Sequence, residues 1–534
     1  MPDADSFPSH ERAPAANIAA ALVASFAAAL GASLTPFGFV GRYNDDSLYA
    51  TSAWSLAHHL GYTYPFGPVL QVASRFPPLF PLVLAPTWLL TGSGPTGPAS
   101  PRLSVTAMQI ECLAFFFAFA VVVYLALRIV GGLPAWQAVA GEALIALHPL
   151  ALRYAGAVMS DVLAALLGWI GLIALARAER TPGGSNSSGW WAVTCAALGM
   201  AILARYAALA LLVAEVGALV WHRRWRPALL LAATAGGSTA GWLAFSIHHG
   251  AIDYATQISG WSAAALAPTA SLALGAGVSS FVLPAFLRGY PLDPPGGWAM
   301  TVGAGVTLVC LYGLWEGWRR ASAAALALRL YAGIVVILTI VWSAGFAGMG
   351  ADLVGRLLLP AAPAYVWGFV RAFRRTVPGG RRLLVWAIWM LAALASWPAA
   401  VAPVMSEARQ FEAFLPEHWA LMAAIDRMVP AGRVVATVRP ATLWLYAHRP
   451  AVATPLGAAD LGPALERIRV RYVVGEPLIE GNVDVVRLAF DRSFAHDPTW
   501  ARMIYVTPGQ HLALFAVRGA GPGQGTLRSG PPAL

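Results

Sequence analysis

The sequence predicts a polytopic α-helical membrane protein with a small α/β domain at its C-terminal end, and three observations carry that reading. Of 534 residues, 58% are hydrophobic and only 11% charged, against roughly 25% charged in an ordinary soluble domain. Apolar runs of bilayer-crossing length recur from Asn17 to Ala402. After Pro403 the hydrophobic period shifts to short strands alternating with helices. This composition excludes a water-soluble globular enzyme. It also excludes a disordered chain, because 21 Trp and 22 Phe are too much apolar surface to leave solvated.

Residues 1–16 read as a cytoplasmic tail. The first span, Asn17 to Val40, follows Glu11 and Arg12, lacks a cleavage site and is too long for a signal-peptide core, so it reads as a retained helix. A long loop, 41–102, comes next. Within it Pro77 to Leu90 is apolar but short and proline-rich, which suits a segment lying in the interface or dipping part-way in. Further spans are Leu103 to Leu127, Trp136 to Leu150, Val162 to Ala176, Trp190 to Leu203, Ala207 to Trp221 and Ala228 to Ile247. Met300 to Trp318, Leu330 to Phe346, Leu357 to Val370 and Leu383 to Ala402 complete the set.

The net charge of +10 comes from a chain without lysine, and its arginines fall in clusters between spans rather than on one face. That argues for membrane topology and against nucleic acid as a partner. Basic residues flanking spans stay in the cytoplasm. The clusters at Arg177/Arg180, Arg223/Arg224/Arg226, Arg319/Arg320/Arg329 and Arg371 to Arg382 share one side if Pro77–Leu90 and Leu272–Leu287 do not cross. About eleven helices result, thirteen if both short stretches cross, and the odd count puts the C-terminus outside. Cys112, Cys195 and Cys310 each sit inside an apolar run and form no obvious disulfide or metal framework.

Residues 404–518 read as an extracytoplasmic α/β domain. Val434–Val438, Arg471–Val474 and Leu512–Val517 have strand patterns, Glu417–Met428 and Ala464–Arg469 helical ones, and Pro430, Gly432 and Gly475 punctuate them. The Gly- and Pro-rich stretch 519–534 reads as a disordered tail.

Polar residues gather at the outer ends of the spans. Gly41-Arg42-Tyr43-Asn44-Asp45-Asp46-Ser47-Leu48-Tyr49 sets two adjacent carboxylates just after the first span. Such a pair can include a general base, and it can equally cap the helix that follows. Arg75-Phe76-Pro77-Pro78 holds a guanidinium beside a rigid double proline, suited to bidentate pairing with phosphate or to interfacial anchoring. Tyr154 and Met159-Ser160-Asp161 interrupt two apolar runs; acids at a membrane boundary are functional candidates, and Ser160 and Asp161 equally suit the capped first turn of the helix Val162 to Ala176. Arg205-Tyr206 and Asp352 with Arg356 lie at the same boundary, suited to binding phosphate or to anchoring their helices. No phosphate-binding loop, dinucleotide fingerprint or metal-binding His pair is present, since adjacent His58 and His59 point to different sides of a helix.

This ordered set resembles the GT-C superfamily of polytopic glycosyltransferases, in particular its protein O-mannosyltransferase and lipid A aminoarabinose transferase branch. Those families carry an Asp-Glu pair followed by Tyr, a Lys-x-Pro-Pro-like element, and a Pro-Asp before a later helix. Asp45 matches the catalytic position and Asp46 stands where Glu is usual. Arg75 stands where Lys is frequent, and Asp161 follows Ser160 in place of Pro.

The resemblance implies the GT-C fold in a bacterial cytoplasmic membrane, with transfer of a sugar from a polyprenyl-phosphate donor to a lipid, glycan or protein acceptor on the extracytoplasmic face. It implies inversion with Asp45 as general base, Asp46 and Asp161 as the other catalytic carboxylates, and no required metal or other cofactor. Arg75, Arg205 and Arg356 would bind the donor phosphate, and Tyr49, Tyr154 and Tyr206 the substrates. A transporter or a non-catalytic scaffold is the alternative, though the halves show no internal repeat. Trp419, Trp444 and Tyr446 in the outer domain read equally as core or as sugar platforms.

Overall fold

The computed structural model describes residues 13–92, 101–181, 185–250, 263–283, 297–345, 351–455, 461–475, 500–509 and 512–518. The expected tail 519–534 lies outside these. The helices, in order, are α1 Ala13–Ser33, α2 Asp45–Ala57, α3 Leu79–Thr91, α4 Arg102–Ile129, α5 Ala135–Ala146, α6 Pro149–Tyr154, α7 Ser160–Arg180, α8 Ser185–Ala204 and α9 Leu209–Trp221. They continue with α10 Trp225–His248, α11 Ala263–Leu272, α12 Gly297–Trp315, α13 Ala323–Gly345, α14 Ala351–Leu358, α15 Ala362–Thr376, α16 Arg382–Met428, α17 Pro440–Ala447 and α18 Leu461–Arg467.

Among the described residues, eight helices are long and apolar enough to cross a membrane: α1, α4, α7, α8, α10, α12, α13 and α16. Three of the eleven expected spans are shorter or interrupted. Trp136–Leu150 divides into α5 and α6 because Pro149 has no N–H to continue the ladder. Ala207–Trp221 begins as a 3₁₀ turn, Tyr206–Ala208, before the thirteen residues of α9. Leu357–Val370 is split between α14 and α15 by a 3₁₀ turn containing Pro360. At 1.5 Å per residue each piece is about 9–23 Å long, against a hydrocarbon layer of about 30 Å. α3 is also short of a full crossing, with thirteen residues.

Helix α1 packs with small residues inward. In α1, Ala20, Ala24 and Ala27 are buried while Ile18, Leu22 and Phe26 face outward, the arrangement of a helix whose solvent on one side is lipid. A very close approach joins α12 to α15, where a Cβ on Gly313 would overlap the Gly368 carbonyl. Replacing Gly313 with Val must push the helices apart. The expected cost is about 1–3 kcal/mol, read as a lower melting temperature in detergent. Gly305→Ala on the same helix, with open space around it, leaves melting unchanged or raised.

α16 runs 47 residues from the bundle into the C-terminal domain. The sequence places a boundary at Pro403 and separate helices on either side, but the helix passes through Pro398, Pro403 and Pro416 unbroken. Packing on either side of Pro403 holds it: the Trp397 indole donates to the Leu147 carbonyl at 2.9 Å, and Phe411 packs against Phe39. Beyond it a five-stranded sheet forms from β3 Val435–Thr437, β4 Ala451–Ala453, β5 Tyr472–Gly475, β6 Ala501–Val506 and β7 Ala513–Val517, in order β4-β3-β5-β7-β6. β3 pairs in parallel with β4 and β5, while β7 runs antiparallel to β5 and β6. A small hairpin, β1 Thr63–Tyr64 with β2 Gln71–Val72, lies in the long loop.

The sheet domain is clamped onto that loop. Tyr446 Oη accepts from the Val40 N–H at 3.0 Å and donates to the Gly38 carbonyl at 3.2 Å, and its ring stacks on Phe39. Trp444 meets Trp54 edge-on, and the Arg102 guanidinium lies 3.6 Å from the Trp419 ring centre. These three aromatics therefore form packing between the domain and the loop.

Candidate active site

The loop leaving α1 turns sharply to enter α2. Gly41 has φ +118°, and a Cβ there would collide with Thr442 of α17; Asn44 has φ 54°, a positive value uncommon outside glycine and commoner for Asn than for most residues. The turn separates the two adjacent carboxylates. Asp46 points back into it: Oδ1 accepts the Gly41 and Ser47 N–H groups at 2.9 and 2.7 Å, and Oδ2 lies 3.5 Å from the Tyr43 nitrogen. Burial pushes the Asp46 carboxyl above its ordinary pKa, with these three backbone bonds opposing the rise. Its job in the fold is to hold the turn, so the capping alternative describes Asp46 better than a catalytic one.

Asp45, one residue earlier, keeps 23% of its side chain exposed and faces Arg356 of α14, with Oδ2 3.7 Å from Nη2. Arg356 in turn forks onto Asp161 at the start of α7, Nε to Oδ1 at 3.2 Å and Nη2 to Oδ2 at 3.0 Å. Arg205 closes the group, Nη1 to Asp161 Oδ2 at 2.7 Å. Asp161 is 5% exposed and Arg205 20%. One buried carboxylate thus grips two guanidinia, one of which reaches on to Asp45. Arg205 and Arg356 are presented by two of the interrupted spans, where irregular backbone can line a polar site.

The remaining candidates are placed unequally. Tyr154, on α6, lies beneath Arg356 with its ring centre 5.4 Å from the guanidinium carbon. Tyr49 is buried and its hydroxyl bonds Ser160 Oγ at 2.8 Å, tying α2 to α7 beside Asp161. Phe76 packs on the Tyr49 ring at 4.8 Å, with the Arg75 guanidinium over Phe76 and the Tyr62 hydroxyl donating to the Phe76 carbonyl. Arg75 therefore borders the cluster through that aromatic pair. Tyr206 turns toward α10 instead, its hydroxyl 3.4 Å from Ser246 Oγ. Ser160 does not cap its helix; its hydroxyl serves Tyr49.

Sequence reading missed a second charged knot next to the first. Glu407 of α16 binds Arg42 at 2.9 Å and Arg153 at 2.8 Å. Between the two knots stand Tyr43 and Tyr154, 5.1 Å apart. The available signal was that Arg42 and Arg153 immediately flank residues already singled out.

These roles make Asp46→Asn a mild change and Asp46→Ala a harmful one. Asn keeps an oxygen for the Gly41 and Ser47 N–H groups, whereas Ala orphans them at about 1–3 kcal/mol. Thermal unfolding separates the two variants.

No protein-family model matches the sequence, and no curated protein matches it. Solved structures do. ArnT from Cupriavidus metallidurans bound to undecaprenyl phosphate superposes with a TM-score of 0.55 over 97% of this chain and 100% of that one, at 16% identity. The archaeal oligosaccharyltransferase AglB from Archaeoglobus fulgidus, in complex with an inhibitory peptide and a dolichol-phosphate, gives 0.56 over 92% of this chain and 73% of that one, at 13% identity. The apo oligosaccharyltransferase of the same organism gives 0.57 over 90% and 72%, at 14% identity. The chain is a multi-pass membrane protein with the GT-C fold. What it shares with these structures, at such identities, is the fold.

Proposed function

We propose that the protein is an inverting membrane glycosyltransferase that moves a sugar from a polyprenyl-phosphate carrier to an acceptor hydroxyl on the extracytoplasmic face of a bacterial cytoplasmic membrane. The observation that carries this reading is the bridge made by Arg356 between Asp161 and Asp45. It sets one partly exposed carboxylate against a pair of fixed cations, the two components the reaction needs. The GT-C fold of proteins solved with undecaprenyl phosphate and dolichol-phosphate supports the class of donor.

In this reading Asp45 accepts the acceptor's hydroxyl proton, and the oxygen attacks the anomeric carbon from the side opposite the phosphate. The bond from that carbon to the phosphate oxygen breaks, the configuration inverts, and polyprenyl phosphate departs with the bonding electrons. Phosphate leaves without needing a proton, so cations suffice at that end. Arg205, the more exposed of the two arginines on Asp161, and Arg356 and Arg75 stabilise the growing charge. Asp161 is a positioning residue: its oxygens are occupied by the two arginines whose geometry it fixes. Tyr154 would support Arg356 from below, and the outer sheet domain would bear on acceptor choice through its clamp on the loop.

The test is to incubate the purified protein with a panel of polyprenyl-phosphate sugars and measure carrier-dependent sugar release. Release from at least one donor is expected. No release from any member overturns the reading.

A further inference from the structure

At the end of the bundle away from Asp161 the charges do not balance. α7 begins at Ser160 and carries Glu179 in its last turn, 21 residues spanning about 30 Å. Glu179 accepts the Ala323 and Ala324 N–H groups at 3.1 and 2.9 Å, so α13 starts at that far end. Nearly two turns along α13 stands Arg329, 6% exposed, with Nε and Nη1 both buried and without a hydrogen-bond partner. Its guanidinium lies 5.4 Å from the Trp367 ring centre, and that of Arg371 lies 5.0 Å from the same ring, with its own Nε unpartnered. Trp367 is held by its indole N–H, which donates to the Gly131 carbonyl at 2.8 Å.

Among the described residues, the carboxylate that faces this group is Glu316, 2.5 Å from Arg375 Nε and 3.9 Å from Arg371 Nη2. Three guanidinia share one carboxylate, and Arg329 and Arg371 repel each other across Trp367. Burying an unmatched guanidinium is costly unless an anion answers it. Topology alone asks for arginines near this boundary; it does not ask for one with two N–H groups sealed inside and unanswered. Leading away from Glu316 along one face of α12 are Tyr312 and Leu308, with Trp315 beside them, each more than half exposed.

We propose that this cluster binds a phosphate group, presented by an anionic phospholipid of the adjoining leaflet. The phosphate oxygens accept from the accessible guanidinia of Arg371 and Arg375 and supply the negative charge missing beside buried Arg329, while the acyl chains lie along Leu308, Tyr312 and Trp315. The site is separate from the Asp45 and Asp161 cluster and does not depend on the proposed sugar transfer. Delipidated full-length protein in detergent tests it by thermal melting and native mass spectrometry, with phosphatidylglycerol, phosphatidylcholine or inorganic phosphate added. Phosphatidylglycerol is expected to raise the melting temperature and to be retained about tenfold more tightly than zwitterionic phosphatidylcholine. Combining Arg329→Gln with Arg371→Gln removes that difference; Arg371→Gln alone, at a partly exposed position, reduces it should the pair not fold. A melting rise with inorganic phosphate that is absent in the variant supports the same site filled from solution. Variants that retain phosphatidylglycerol as the wild type does, or a wild type that distinguishes neither phosphate source from buffer, overturn the proposal.

Discussion

Asp45→Asn is expected to leave a folded protein whose turnover falls by about 10²–10⁴-fold, the usual contribution of a positioned general base. The amide matches the carboxylate in size and can still accept a hydrogen bond from Arg356, so the surroundings have little reason to move. It cannot take a proton. Asp45 keeps its side chain partly exposed and lies 3.7 Å from its cation, so its loss leaves no deeply buried charge orphaned and melting stays near the wild-type value. Binding of the donor, read separately by retention of the polyprenyl-phosphate sugar, is preserved because the arginines remain on Asp161. A variant that turns over at the wild-type rate would remove Asp45 from the mechanism.

Asp161→Ala should behave in the opposite way, with stability as the first casualty. Arg356 is 9% exposed and Asp161 5%, so deletion of the carboxylate strands a guanidinium in a poorly solvated place. Breaking such a buried pair costs about 3–5 kcal/mol, and the partial exposure of Arg205 places the effect toward the lower figure. A fall in melting temperature of several degrees and loss of turnover are expected together. Asp161→Ala combined with Arg356→Met tests the cause: replacing both charges with apolar groups restores much of the stability but not the activity, because the cation proposed to face the leaving phosphate is gone. Equal melting of single and double variants would show that the ion pair is not what Asp161 contributes.

The contrast between neighbours Asp45 and Asp46 shows where sequence reading stops. Both lie in the first turn of α2, and hydropathy and spacing treat them alike. Two backbone features divide them: Gly41 at φ +118° against Thr442, and Asn44 at φ 54°. They curl the chain so that Asp46 meets three backbone nitrogens and Asp45 meets Arg356. Gly41 is needed because of a residue about four hundred positions away, which no local pattern reports.

Span lengths teach the same lesson from the other direction. Trp136–Leu150, Ala207–Trp221 and Leu357–Val370 are apolar enough to read as crossings, and each is broken in the structure beside a site residue: Tyr154, Arg205 or Arg356. Pro149 and Pro360 marked two of these breaks in the sequence. The third break, where Arg205 stands extended before the 3₁₀ turn, carries no such mark; its reach to Asp161 is a tertiary contact. The short strands β4 and β6 passed unread because an isolated run of three to six residues is a weak signal until neighbours supply hydrogen bonds.

Composition and hydropathy by themselves determined that the bilayer is this protein's solvent, that a small α/β domain follows the helices, and which polar residues crowd the helix ends. Those are sums of transfer free energies over adjacent residues, and adjacency is what a sequence records. Only the tertiary structure decided that Arg205 and Arg356, 44 and 195 positions from Asp161, close on the same carboxylate, and that Asp45 rather than Asp46 faces them. Pairing of charges depends on where helices break and how closely they pack, and those are settled by contacts between segments far apart in the chain.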